Sequence, residues 1–85
     1  MNSNKQNLIN KIIYRSQYRG TKEMDIFLGN FVKSIVYNLS LEDLKDLDLL
    51  INMNDEEIKE ILKGNLKFKN DKILNFLMVT VFISQ

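Results

Sequence analysis

Apolar positions recur at helical spacing almost from end to end of the chain. Leu8, Ile9, Ile12 and Ile13 form a short stripe with members three or four residues apart, the period of one helix face. This first helix is expected to end near Gly20, a residue suited to the left-handed position after a helix. Met24, Phe27, Leu28, Phe31 and Ile35 then make one continuous face of a second helix, with Asn38 at its end. Ser40-Leu41-Glu42-Asp43 reads as an N-capping signal. In such a cap the Ser40 hydroxyl accepts from a free amide and Asp43 stands at the third helical position. Leu44, Leu47, Leu50 and Ile51 carry the third stripe. Asn54 or Asp55 caps a short fourth helix that holds Ile58, Ile61 and Leu62, and Gly64 stands where that helix should stop. Residues 65–70 are polar and expected to form a loop. The last element starts near Asp71 and buries Ile73, Phe76 and Leu77, with Val81 as a further candidate.

Residues 79–83 are β-branched and aromatic, so a strand is arguable there. A lone strand needs a partner, and nothing else in the chain alternates with period two. The helical reading is therefore preferred. The expected fold class is all-α, a small bundle of four to five short helices. Residues 1–85 are read as a single helical domain, with the first few and the last two or three residues frayed.

Composition narrows the chemistry. Cys is absent, which excludes disulfides, thiolate nucleophiles and Cys-ligated metals. His is absent, which removes the usual general base and the commonest metal ligand. A catalytic reading would need a Ser, Thr, Tyr or Lys nucleophile activated by a strongly perturbed carboxylate or lysine. Glu56-Glu57 and Asp46/Asp48 follow no metal-loop spacing. The chain is therefore read as a non-enzyme that holds no metal. The longest apolar stretch, residues 73–83, is too short for a membrane span. The N-terminal residues lack the apolar core of a signal peptide, so the expectation is a cytoplasmic protein without membrane insertion.

The formal net charge is +1, which points to neither nucleic acid nor an anionic membrane. It is unevenly spread, however. Residues 1–33 carry a net +4, residues 42–60 a net −6 and residues 61–85 a net +3. The acidic stretch reads first as the solvated face of helices three and four, and second as an acidic docking surface.

Arginine is the informative residue. The chain uses Lys ten times and Arg twice, at Arg15 and Arg19. Against a Lys-rich background, two arginines four apart mark a place where Lys fails. Lys cannot make a planar bidentate fork to a carboxylate or phosphate. At that spacing both would share one face of the first helix. The plainer alternative is a pair of cations at a helix end, favoured by the macrodipole. Gly20 follows directly and lets another backbone approach closely. Tyr14 and Tyr18 lie alongside, and Tyr and Arg are enriched in binding hot spots. Glu23 falls in the first turn of the second helix, where the dipole favours it and where it could accept from a partner's donors. Simple capping would also explain Glu23, and partial core packing would explain the tyrosines.

The run Arg19-Gly20-Thr21-Lys22-Glu23, then Met24-Asp25, resembles the Arg-Gly-x-x-Glu signature of the SdhE family, the succinate dehydrogenase flavinylation and assembly factors. Tyr14-Arg15-Ser16 matches the aromatic-basic-small run common upstream of it. Phe27 to Phe31, Leu39-Ser40, the Leu-rich third helix, and Asn52 to Asp55 followed by Ile58 and Ile61-Leu62 fit in order and spacing. The resemblance covers roughly residues 8 to 64. The chain departs from the family at Asn52, usually Glu, at Ile61, often Trp, and at Thr21, often Met.

The resemblance implies a five-helix bundle that is not itself an enzyme. It would bind the flavoprotein subunit of succinate dehydrogenase, and in some bacteria that of fumarate reductase, and promote covalent FAD attachment to a histidine there. FAD would belong to the partner, with none held stably by this chain. Carried over by position, Gly20 gives close approach while Arg19 and Glu23 contact the flavoprotein, with Arg15, Ser16, Tyr18 and Asp25 as neighbours in that surface. A monomer is expected. Two rival readings stay open at this point. A small nucleic-acid-binding or regulatory module would rest on Arg15 and Arg19 with Lys63, Lys67, Lys69 and Lys72. A small structural subunit would pair with another chain through residues 73–83.

Overall fold

The structure, a computed structural model, describes residues 3–83. Five α-helices follow one another: α1 (Ser3–Gln17), α2 (Lys22–Ile35), α3 (Leu41–Ile51), α4 (Asp55–Leu62) and α5 (Asp71–Ile83). A single 3-10 turn, Val36–Asn38, prolongs α2. No strand occurs among the described residues, and the ambiguous segment 79–83 is the last turn of α5. Of the ends expected to fray, residues 1, 2, 84 and 85 lie outside the described residues, while Phe82 and Ile83 are helical.

The helix boundaries follow from local chemistry. The Thr21 hydroxyl oxygen accepts from the Met24 amide and starts α2. Ser40 does the same for α3 through the Asp43 amide at 3.2 Å. Asn54, rather than Asp55, caps α4. Its side chain accepts from the Glu57 amide at 2.8 Å while Glu57 reaches back to the Asn54 amide at 3.1 Å, a reciprocal capping box. Past the end of α4, Gly64 has φ +83. Its amide donates to the Ile61 carbonyl and the Asn65 amide to the Glu60 carbonyl, the paired bonds of a Schellman stop.

α1 packs against α2 and α3, and α5 lies against α2 and α3. The core they enclose holds Ile12, Leu28, Phe31, Val32, Leu44, Leu47, Leu50, Ile58, Ile73 and Leu77 without solvent exposure. Each such side chain contributes about 1.5–3 kcal/mol by leaving water. The third and fourth stripes face inward as expected. One aromatic position does not. Ile73 and Leu77, four apart, set the buried line of α5, and Phe76 sits about 100° round the helix from Leu77, 38% exposed. Val81 is half-buried. The aromatic that does enter the core is Phe68, 8% exposed, from the polar connection before α5. Among the described residues no helix is long and apolar enough to cross a membrane.

Candidate functional site

The turn between α1 and α2 is built around Arg19 and Gly20. α1 stops at Gln17, so Arg19 lies beyond the helix and shares no face with Arg15. Gly20 has φ +119, a backbone state that costs a residue with a Cβ roughly 1–2 kcal/mol. It is not the residue directly after the helix, as the spacing suggests, but the pivot of the turn. A Cβ placed on Gly20 would meet no atom within 4 Å. The notch is open, and only backbone strain excludes a side chain.

The Arg19 guanidinium is enclosed. Its side chain is 8% exposed. Nε donates to Asp55 Oδ1 at 3.1 Å, Nη1 to the Ile51 carbonyl and Nη2 to the Met53 carbonyl. Ile51 ends α3, so its carbonyl and that of Met53 lack helical partners. Asp55 is the first residue of α4. The arginine thus closes the corner between two helices. A lysine ammonium could not reach all three acceptors in this planar arrangement. The fork expected to face a partner is occupied within the chain. The dipole that favours it belongs to α3, not to its own helix.

Three more of the expected residues are engaged within the chain, two of them withdrawn from solvent and Arg15 at the surface. Ser16 is buried and donates to the Ile13 carbonyl at 2.8 Å. It continues the Ile9–Ile12 line of α1 at helical spacing, which is why it leaves the surface. Asp25 is half-buried, and its Oδ1 accepts from the Arg19 amide at 2.6 Å, tying the turn to α2. Arg15 donates through Nη1 to Asn52 Oδ1. Both arginines therefore converge on the α3–α4 corner, though from different backbones.

Three residues remain open. Gly20 is exposed, Glu23 is exposed in the first turn of α2, and Tyr18 is 72% exposed. Glu23 makes no hydrogen bond or ion pair among the described residues. Tyr14, 57% exposed, packs its ring 4.7 Å from that of Tyr18. An open surface groove lies beside them, lined by Tyr14, Arg15, Tyr18, Arg19 and residues 51–54. Residue patterns alone did not point to Ile51, Met53 and Asp55 as partners of Arg19. Two of the three acceptors are main-chain carbonyls, which leave no mark in a sequence.

The acidic stretch divides: Glu42, Glu56 and Glu57 are exposed, as expected of a solvated face, while its inner acids are engaged within the chain. Asp43 accepts from Asn70 Nδ2 at 3.0 Å and pairs with Lys72 at 3.1 Å. Asp46 accepts from the same Nδ2 at 2.9 Å and pairs with Lys69 at 3.2 Å. Asp48 pairs with Lys11 at 3.3 Å. Asn70, Lys72 and Lys69 hold the carboxyls of Asp43 and Asp46 below the usual carboxylate value of 3.8, with the Asn70 hydrogen bonds the larger cause. The inner acids of α3 thus seat the connection before α5. Lys69 and Lys72, counted toward a nucleic-acid surface, are engaged there, and Lys63 lies 3.9 Å from Glu60. No cluster of potential metal ligands occurs among the described residues.

A family model described as the flavinator of succinate dehydrogenase matches residues 10–79. The chain is 32% identical over 62 residues to the FAD assembly factor SdhE of Acetobacter pasteurianus, covering 73% of this chain and 57% of the relative. It is 34% identical over 55 residues to the mitochondrial succinate dehydrogenase assembly factor 2 of Arabidopsis thaliana, covering 65% of this chain and 29% of the relative. It is 32% identical over 74 residues to the protein of that name in Debaryomyces hansenii, covering 79% and 52%. The chain thus spans between about a third and somewhat over half the length of these relatives. No solved structure matches it. The family match runs from α1 into α5, takes in the whole α1–α2 turn, and makes this chain a member of the succinate dehydrogenase flavinator family.

Proposed function

We propose that the chain is an assembly factor that binds the flavoprotein subunit of succinate dehydrogenase and promotes covalent attachment of FAD there. The observation that carries this reading is the family match over residues 10–79. The chain contributes binding and no chemistry of its own. It has no His or Cys, so it supplies neither the acceptor side chain nor a conventional general base. FAD stays with the flavoprotein. The flavoprotein of fumarate reductase is a second client of the same kind, and the active species is a monomer.

The docking face in this reading is the open side of the α1–α2 turn. Gly20 admits a partner's backbone, the Glu23 carboxylate accepts from a partner's donors, and Tyr18 with Tyr14 supplies apolar contact. Binding one arrangement of the flavoprotein's domains in preference to others raises the population competent for flavin attachment. A tenfold shift needs only about 1.4 kcal/mol of differential affinity.

The test mixes purified apo-flavoprotein, FAD and this chain, and follows covalent flavin by in-gel fluorescence. Gly20→Arg is expected to abolish both complex formation and the stimulation of attachment, with helix content by circular dichroism near that of wild type. Wild-type stimulation by folded Gly20→Arg would refute the assignment of this face. Nothing favours the nucleic-acid reading, since Lys69 and Lys72 are already paired with Asp46 and Asp43.

A further inference from the structure

Residue 19 is held from two sides. Its amide donates to Asp25 in the first turns of α2, and its guanidinium is fixed to Ile51, Met53 and Asp55 at the α3–α4 corner. The next residue is Gly20, at φ +119. The peptide is therefore pinned immediately before the pivot of the open face, and the pin crosses to helices that lie on the other side of the turn. We propose that Arg19 and Asp55 are positioning residues. Their clasp sets the path of the Gly20 backbone and the direction of Glu23 for the partner, and neither side chain itself meets the partner.

The inference rests on the docking face proposed above and deepens it. It brings in Asp55 and the carbonyl end of α3, which lie outside the Arg-Gly-x-x-Glu run. Three features argue for action at a distance. The guanidinium is 8% exposed, leaving little surface for a partner. Each of its three nitrogens already donates within the chain. And the two contact systems of residue 19 come from different elements, so that loosening either one frees the same turn. Preorganisation of this kind lowers the cost of binding without adding a contact.

The test compares the full chain with Arg19→Lys, Asp55→Asn and, as a control on the face itself, Glu23→Gln. Affinity for the flavoprotein subunit is read by calorimetry and local order by amide hydrogen exchange. Arg19→Lys and Asp55→Asn should each weaken binding about tenfold, a loss of the size expected when one turn loses its preorganisation. Exchange at residues 18–25 should speed up, while core amides such as those of Leu28 and Leu47 exchange as in wild type. Unchanged affinity in both variants overturns the proposal. So does weakened affinity with unaltered exchange at residues 18–25, because Arg19 would then be a direct contact. Should Arg19→Lys also speed the core amides, Asp55→Asn carries the test, since it removes one charge and leaves both carbonyl contacts. If Glu23→Gln binds as wild type as well, the docking face is misassigned. If Glu23→Gln alone loses affinity, the face stands and the positioning role falls.

Discussion

The corner at Arg19 and the ledge at Asn70 both fasten a connection between helices with polar side chains, yet they leave different things over. At the ledge every principal group is answered. Asn70 Oδ1 accepts from the Ile73 amide at 3.1 Å and so caps α5, while its Nδ2 serves Asp43 and Asp46 and two lysines close the carboxylates. At the corner a single cation ties three elements together on one side and leaves Glu23 and the Gly20 backbone open on the other. Charge density therefore does not mark which carboxylates this molecule leaves open. The stretch with a net −6 is largely used in seating the chain on itself, whereas a lone carboxylate beside an unobstructed backbone is available to something else.

The largest effect that could break this contrast is Arg19→Ala. It leaves Asp55 and the carbonyls of Ile51 and Met53 without their donor. Breaking a buried, hydrogen-bonded ion pair costs about 3–5 kcal/mol, but Asp55 keeps some access to water. The expected loss is therefore about 2–3 kcal/mol, read from urea unfolding midpoints at constant m-value. A loss below that of removing Asn70 would reverse the ranking of the two fastenings.

Much of the bundle was legible because its signals are local. The stripes of α2 and α3, the Ser40 cap and the Gly64 stop each lie within a few residues of the feature they determine. The strand alternative at 79–83 failed for the reason given in the sequence itself, the lack of any pairing segment. What was not legible involves groups far apart in the chain. Arg15 and Arg19 stood out by their scarcity, but the direction of the Arg19 fork depends on where α3 ends and α4 begins. Phe68 was hidden because a single aromatic in a polar run has no periodicity. Ser16 was placed in the docking surface by the family resemblance, although it follows Ile9 and Ile12 at helical spacing and is buried. Asn70 gave no hint that one side-chain amide would meet two aspartates more than twenty residues away.

Asn70→Ala tests the ledge at intermediate scale. The cap of α5 alone is worth about 1 kcal/mol, and its loss should appear at neutral pH as a lower urea midpoint. The pH dependence adds a second reading. Asp43 and Asp46 are more acidic in the folded chain than the ordinary 3.8, through Asn70 first and the lysines second. Groups depressed in the folded state contribute stability that is complete above the unfolded value and is lost as pH falls through the folded one. Wild type should therefore lose stability steeply below about pH 4, whereas Asn70→Ala should fall along a shallower slope. Parallel slopes for the two proteins would mean that the amide does not hold these carboxyls down.

The smallest expected effect sharpens the corner instead of breaking it. Arg15 donates to Asn52 Oδ1 across an exposed contact, and Asn52→Glu would replace a neutral acceptor with a charged one. Residue 52 stands between two helix ends. It caps the C-terminus of α3 and precedes the Asn54 cap of α4 by two positions. A negative charge there is disfavoured by the first dipole and favoured by the second, each by about 0.3–1 kcal/mol, so these contributions largely offset. What remains is an exposed ion pair with Arg15, worth about 0.5 kcal/mol. Asn52→Glu should raise the urea midpoint slightly at low ionic strength and lose that gain near 1 M salt, where the screening length falls to about 3 Å. A gain that survives high salt would have to come from packing. A loss at low salt would show that the carbonyl end of α3, already holding Arg19, dominates the field at this corner.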